Sequence, residues 1–397
     1  MNVLMISDVY FPRVNGVSTS IATFRRSLRQ LGHQSTLVAP AYPQAAPDDD
    51  SDMIRVPARY LFMDPEDRLM KIPAVLALDE RLRQQAFDLI HIHTPFAAHY
   101  AGIRLARRLK LPVVETCHTY FEEYFHHYVP ALPRGLMRYS ARWLTRHQGR
   151  QLDALVVPSM AMLSVLKNYG VRVPTEVIPT GIDLEDFSPG DRAAFCQRHG
   201  IDPARPTLVH IGRVAYEKNI GFLLEVVASV RQSIPELLLI VAGEGPARRG
   251  LQQRAAALGI ENNCLFIGYL NRGQALWDCY AGGDAFVFAS NTETQGLVLL
   301  EAMALGTPVI STAILGTRDI LAARRGALIA EPEVNDFSAK VIRLLRQPGL
   351  RQRLSREARD YARDWSTTIM SRRMADFYRR VVEQENGALV TSQASGH

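Results

Sequence analysis

Along the chain, short apolar runs of about five residues alternate with longer segments whose apolar positions recur every three or four residues. The first kind predicts buried strands and the second amphipathic helices, so the repeated order implies parallel sheets with crossover helices. In the first half, strands are expected over Val3–Ile6, Ser35–Ala39, Leu89–His93, Val113–Cys117 and Ala154–Pro158. Helices are expected over Ser18–Leu31, Ile72–Gln85, Ala97–Leu109, Leu136–Leu152 and Met160–Tyr169. A turn-rich stretch from Val177 to Gly190 lacks hydrophobic period and reads as an interdomain linker. The rhythm then restarts, with strands over Thr207–Ile211, Leu237–Ala242, Cys264–Ile267, Ala285–Phe288, Pro308–Ser311 and Ala327–Ile329. From Asn335 to about Glu385 the pattern is helical, and the polar residues 386–397 are expected to be a disordered tail. The fold class is therefore α/β with two Rossmann-like domains, residues 1–182 and 183–365, followed by a helix over 366–385.

A length of 397 residues suits two such domains. The 47% hydrophobic and 22% charged composition is that of an ordinary globular chain. No apolar run approaches the roughly 18 residues of a membrane span. Val3–Ile6 followed by Asp8 lacks the basic start and long apolar core of a signal peptide, so a cytoplasmic location is expected. Cys117, Cys196, Cys264 and Cys279 have neither CxxC nor metal-ligand spacing and read as small buried hydrophobes.

The net charge of +6 is modest, but its placement is uneven. Between Gly102 and Arg150 stand nine cationic residues against three glutamates. Arg134, Arg138, Arg142, Arg146 and Arg150 repeat every four residues, on one broad face of a helix that also carries Trp143. Such a helix suits an anionic lipid surface, and equally a core-packed helix with a solvated cationic back. No nucleic-acid motif accompanies it. The acidic run Asp48-Asp49-Asp50 lies in a Pro-rich loop from Pro43 to Asp52 and reads as solvated charge.

In parallel sheets, ligands bind beyond the carboxyl ends of strands, so the strand-to-helix turns were compared. DVYFPRVNGV (Asp8–Val17) offers Gly16 for close approach of a phosphate, though a plain tight turn explains it as well. HIGRVAYEKN (His210–Asn219) places Arg213 and Lys218 just before a helix, a diphosphate-binding arrangement set against the alternative of solvated charge. GEGP (Gly243–Pro246) starts like a dinucleotide fingerprint, but the next glycine is Gly250 and the spacing fails. The turn after Phe288 is the most informative. Glu293 lies before a helix beginning near Gln295 or Gly296, and Glu301 lies inside it. The N–H groups of Gly296, Leu297 and Val298 are then helix-terminal donors for an anion, and the two carboxylates are matched to sugar hydroxyls.

The glutamates eight positions apart in TETQGLVLLEAMA, with GRVAYEKN, GEGP, NGVS and His118 in ETCHTY, resemble the retaining family 4 glycosyltransferases of GT-B fold. The match extends from about Asn2 to Tyr378. The resemblance implies two domains facing a cleft, with the C-terminal helix returning to the first. It places Arg213 and Lys218 on the donor diphosphate, Glu301 on the ribose hydroxyls and Glu293 on the transferred sugar. Gly16, Gly243, Gly296 and Leu297 join the donor contacts, and His118 faces the sugar as a second catalytic residue; Tyr269 and Leu270 border the base. It also implies retention of the donor's α-configuration without a metal ion, by same-face substitution in which the departing diphosphate takes the acceptor's proton. HTYFEEYFHHY and TETQGLVLLEA are similar to the branch that glucosylates diacylglycerol, so UDP-glucose and a lipid acceptor are expected, on the inner face of the cytoplasmic membrane. GDP-mannose with a lipid or glycan acceptor, and a nucleotide-sugar epimerase of the same fold, are the alternatives.

Overall fold

The structure is a computed structural model and describes residues 1–42, 50–61, 64–118 and 134–394. Residues 43–49, with Asp48 and Asp49, and the aromatic string from Thr119 to Tyr128 lie outside the described residues. The chain divides into two compact units, residues 1–181 joined by 367–397, and residues 182–366.

The first unit contains β1 (Asn2–Ile6), α1 (Gly16–Gln30), β2 (Gln34–Pro40), β3 (Met53–Val56), β4 (Ala58–Leu61), β5 (Asp64–Met70), α2 (Ile72–Leu76) and α3 (Asp79–Arg83). There follow β6 (Leu89–Ile92), α4 (Ala97–Leu109), β7 (Val113–Thr116), α5 (Arg134–Gly149), β8 (Ala154–Val157), α6 (Met160–Asn168) and β9 (Thr175–Val177). Seven strands form one sheet in the order β3-β2-β1-β6-β7-β8-β9, and neighbouring strands pair in parallel. Alternation along β1 sends Leu4 and Ile6 into one core and Val3 and Met5 into the other, one on each face of the sheet. The order reverses between β1 and β6, so the crevice beyond their carboxyl ends is the switch point of this sheet.

The second unit contains α7 (Arg192–His199), β10 (Thr207–Ile211), α8 (Ile220–Val230), β11 (Leu238–Ala242), α9 (Arg248–Ala257), β12 (Cys264–Gly268), α10 (Gln274–Gly282) and β13 (Ala285–Phe288). It continues with α11 (Leu297–Ala304), β14 (Val309–Ser311), α12 (Gly316–Leu321), β15 (Ala327–Ile329), α13 (Val334–Arg346) and α14 (Pro348–Ala362). Its six parallel strands run β12-β11-β10-β13-β14-β15, with the switch point between β10 and β13. The turns that close this switch point carry Arg213 and Lys218 on one side and Glu293 on the other.

The last helix, α15 (Thr367–Ala394), belongs to the first unit. Met370, Met374, Phe377, Tyr378 and Val381 repeat at helical spacing and are buried in the same core as Ile21, Phe24 and Leu28 of α1. The Tyr378 hydroxyl lies 2.6 Å from His91 Nδ1, and Arg373 donates to the Val177 carbonyl at 2.6 Å.

Several sequence expectations are corrected. The helix read over Ile72–Gln85 is two short ones, the second starting at Asp79 and Glu80, where helix-terminal N–H groups favour carboxylates. β3 is an addition to the expected strands, four residues directly after the Pro43–Asp52 loop and too short for a pattern to stand out. The antiparallel hairpin β4–β5 was missed because Pro65 and three acidic residues mask its second strand. The helical stretch from Asn335 is three helices, broken at Gln347-Pro348 and over Arg363–Ser366. The disordered tail expected from 386 is helical as far as Ala394: no proline interrupts it, and Gly387 costs a helix only about 1 kcal/mol.

Candidate active site

The second unit builds its site from turns that interlock. Gly243 adopts φ +142°, and a Cβ there would lie 1.9 Å from the Gly212 carbonyl oxygen, so the turns after β10 and β11 close together only because this residue is glycine. Gly212 donates to the Ala242 carbonyl at 3.0 Å and Val214 to that of Glu244 at 2.8 Å. The next residues form a single 3-10 turn, Tyr216–Lys218, that is tied to the turn after β13. The Glu217 carbonyl accepts from Ser290 Oγ at 3.2 Å and from the Asn291 amide at 3.4 Å. Lys218 Nζ thereby reaches the Glu293 carboxylate in a part-buried ion pair. Arg213 stands half-buried at the start of the same turn.

Glu293 is held from behind by its own backbone. Its carbonyl accepts from the Gly316 amide at 2.8 Å, and the first residue of α12 packs so closely that a Cβ on Gly316 would lie 2.0 Å from the Thr294 carbonyl oxygen. Gly296 caps α11, which starts at Leu297, one or two residues later than the start expected near Gln295 or Gly296. Glu301 is buried, and both its oxygens have protein donors: Tyr280 Oη at 2.9 Å and Arg272 Nη1 at 2.8 Å. Expectations built on its need for donors are thus corrected in part, since neighbours from the turn before α10 and from α10 itself supply them. A carboxylate has about four lone-pair sites, so room for further donors remains. Burial, and then the Glu301 carboxylate, push the Tyr280 phenol well above its ordinary range, fixing it as a donor. Arg272 also lies 5.6 Å from the Phe187 ring centroid and 5.4 Å from that of Trp277. Sequence reasoning passed over Arg272 and Tyr280. The available signal was position, because Arg272 follows Tyr269 and Leu270, of which the first is exposed and the second packs against the core.

In the first unit, Gly16 begins α1 behind an Asn15 cap whose Oδ1 accepts from the Ser18 amide at 2.9 Å. Among the described residues other than its chain neighbours, nothing lies within 4 Å of where a Gly16 Cβ would stand, and the first turn carries no acidic residue, so this helix start is open to an anion. His118 follows β7, with Nε2 3.3 Å from His93 Nδ1. His93 in turn packs against His91, with centroids 4.0 Å apart and planes tilted by 36°, and His91 Nε2 meets Thr116 Oγ1 at 2.7 Å. Burial lowers His118 to about 4 and His91 to about 3, and pushes His93 well below its usual value, so all three rings are neutral at pH 7. Asp8, after β1, accepts from the amides of Met70 and Ala98 and from Thr94 Oγ1; burial still raises it to about 6.

These groups oppose one another with pH. An imidazole held neutral in the fold is protonated in the unfolded chain below about 6.5, so folding weakens as pH falls through that value. The raised Asp8 acts the other way, keeping between 3.8 and about 6 a proton that the unfolded chain releases. At pH 5 the fully buried His91 alone removes on the order of 2 kcal/mol while Asp8 returns about 1, so the histidines dominate. The melting temperature is expected to drop between pH 7 and pH 5; thermal melting followed by near-ultraviolet dichroism checks this, and an unchanged or rising value contradicts it.

The basic helix has a more particular arrangement than its spacing suggested. The side chains of Arg134 and Arg138 lie outside the described residues. Arg142 sits 5.2 Å from the Tyr169 ring centroid, engaged with its own unit. Trp143 and Arg146 point outward to different degrees, the first exposed and the second half-buried. Among the described residues, no helix is long and apolar enough to cross a membrane.

Comparison with known proteins gives the same architecture. The profile of Glycosyltransferase Family 4 matches residues 14–186, and that of Glycosyl transferases group 1 matches residues 191–361. The alpha-monoglucosyldiacylglycerol synthase of Streptococcus pneumoniae is 33% identical over 364 residues, spanning 85% of this chain and 80% of the relative. A GDP-mannose-dependent alpha-mannosyltransferase of Mycobacterium tuberculosis is 29% identical over 338 residues, 83% of each chain. Sucrose-phosphate synthase from Thermosynechococcus elongatus shares the fold, with a TM-score of 0.80 over 96% of this chain and 99% of its own, at 19% identity. With two parallel α/β units and this match along nearly its whole length, the chain belongs to the family 4 glycosyltransferases of GT-B fold and is similar to the diacylglycerol glucosyltransferases.

Proposed function

We propose that the protein is a retaining α-glucosyltransferase that moves glucose from UDP-glucose to a lipid acceptor such as diacylglycerol at the inner face of the cytoplasmic membrane. The observation that carries the donor half is the Lys218–Glu293 pair, set beside Arg213 at the switch point of the second sheet. Arg213 and Lys218, with the start of α11, offset the charge of the diphosphate, and Glu293 exchanges its lysine for a hydroxyl of the sugar. Glu301, oriented by Tyr280 and Arg272, takes the ribose hydroxyls. In the reaction the bond from C1 to the diphosphate oxygen breaks as the acceptor oxygen bonds to C1 on the same face. The acceptor's proton passes to the departing diphosphate. The two cations supply the charge this step requires, so turnover proceeds without a metal ion.

The choice of glucose and diacylglycerol rests on the 33% identical synthase, whereas the mannosyltransferase at 29% supports GDP-mannose as a second reading. Incubation with UDP-glucose, UDP-galactose or GDP-mannose and a lipid extract, followed by mass spectrometry, separates them. A hexosyl-diacylglycerol formed from UDP-glucose, with an α-anomeric proton by NMR and unchanged yield in EDTA, is the expected product. Product from GDP-mannose alone moves the assignment to the second reading, a β-linkage removes the retaining mechanism, and loss of yield in EDTA removes metal independence.

A further inference from the structure

The carboxyl ends of β6 and β7 set two imidazoles against each other. His93 is the first residue after β6, and its amide donates to the Ile6 carbonyl at 2.9 Å, which pins it beside the switch point of the first sheet. Cys117, just before His118, is pinned in the same way, its amide donating to the Val156 carbonyl at 2.9 Å. The two rings lie 24° from parallel, with His118 Nε2 3.3 Å from His93 Nδ1. A hydrogen bond between two neutral imidazoles needs one proton and one lone pair, so its direction fixes both tautomers.

The direction follows from what is left over on His93. Its side chain is buried, and its Nε2 has no hydrogen-bond partner. The neighbouring ring supplies none, because His91 meets Tyr378 Oη through Nδ1 at 2.6 Å and Thr116 Oγ1 through Nε2 at 2.7 Å. A buried N–H without an acceptor is rarer than a buried lone pair without a donor. The proton of His93 therefore sits on Nδ1 and is donated to His118 Nε2. With Nε2 accepting, the single proton of the neutral His118 ring is on Nδ1. We infer that His93 is a positioning residue that holds His118 in its Nδ1–H tautomer, so that His118 offers the substrate a hydrogen-bond donor and does not act as a base. This rests on the sugar-transfer reading above, in which the departing diphosphate takes the acceptor's proton, and adds that His118 does not compete for that proton, its lone pair being spent on His93.

The tautomer can be read directly. Long-range proton–nitrogen correlation NMR of the full chain at neutral pH, without nucleotide sugar, distinguishes the protonated from the unprotonated nitrogen of each ring. The variant H118Q identifies the His118 signals among the eleven histidines. The wild type is expected to carry the His118 proton on Nδ1, and a proton on Nε2 overturns the inference whatever the activity. Turnover then separates the hydrogen bond from packing. H93F keeps an aromatic ring but has no donor; it is expected to lower kcat about fivefold to tenfold, the worth of one hydrogen bond, and to move the His118 signals toward a mixture of tautomers. H93N is smaller, yet its amide can place an N–H where Nδ1 stands, and it is expected to keep kcat within about twofold of the wild type. Equal rates in the two variants, or H93F faster than H93N, mean that shape alone matters and overturn the positioning role. Thermal melting establishes that both are folded, and should either fail to fold, the wild-type spectrum decides alone. Turnover is measured with whichever nucleotide sugar yields product. If UDP-glucose yields none while His118 carries its proton on Nδ1, the donor assignment falls and the tautomer stands.

Discussion

Replacing Lys218 with alanine is expected to lower kcat/KM for sugar transfer by a factor of roughly 10² to 10³, the usual loss when one charged stabiliser of a leaving group is removed. The ion pair with Glu293 makes the pattern more specific than the size. In the free protein Lys218 is already engaged, so on the proposed reading donor binding exchanges one anionic partner for another. Lys218→Ala then weakens donor affinity and slows turnover together. Glu293→Gln leaves the lysine without its resting partner, so donor affinity stays level or tightens while kcat falls. Calorimetry with UDP alongside steady-state rates separates the two. Equal loss of UDP affinity in both variants would remove the exchange, and wild-type turnover in either would remove that residue from the chemistry.

The second large effect is expected from a residue that bears no functional group. A methyl added at Gly316 would stand 2.0 Å from the Thr294 carbonyl oxygen, and neither partner is a flexible side-chain end that can swing away. Either α12 or the segment 293–295 must move. That segment carries the Glu293 carboxylate and its carbonyl bond to the Gly316 amide. Gly316→Ala is expected to destabilise the second unit by about 2–3 kcal/mol, in the range of overpacked sites, and to reduce activity as much as loss of Glu293 itself. A denaturant titration and a turnover assay on the same sample read both quantities. An alanine variant with normal turnover would show that the loop position does not matter.

Both residues illustrate what the sequence disclosed and what it withheld. The strands of the two main sheets were legible where four or more aliphatic residues stood together, as in Leu238–Ala242, because a strand buried on both faces needs no alternation to be seen. Met53–Val56 and Thr175–Val177 lie at the sheet's two edges, are short and carry polar residues, so nothing in their composition separates them from loop. At the candidate site, charged residues in turns after strands could be read directly, Lys218 and Glu293 among them. Arg272 and Tyr280 could not, because their relation to Glu301 depends on packing α10 against α11, and a tyrosine at helical spacing reads as core. Gly316 was equally hidden, since its importance is a distance to Thr294 and not a property of glycine-rich spacing. The histidine row behind His118 joins residues from β6 and the last helix, nearly three hundred positions apart, and no local pattern can report that.

The placement of α15 has a consequence for how the chain is made. The second unit, residues 182–366, is an insertion in the first, whose final helix comes after it. During synthesis the inserted unit is complete, with its own two cores, while the first still lacks the segment that covers Ile21, Phe24 and Leu28 and supplies Tyr378 to His91. The earlier-born half of the protein is therefore the later one to finish, one apolar face of its sheet covered by α1 alone until α15 has been made.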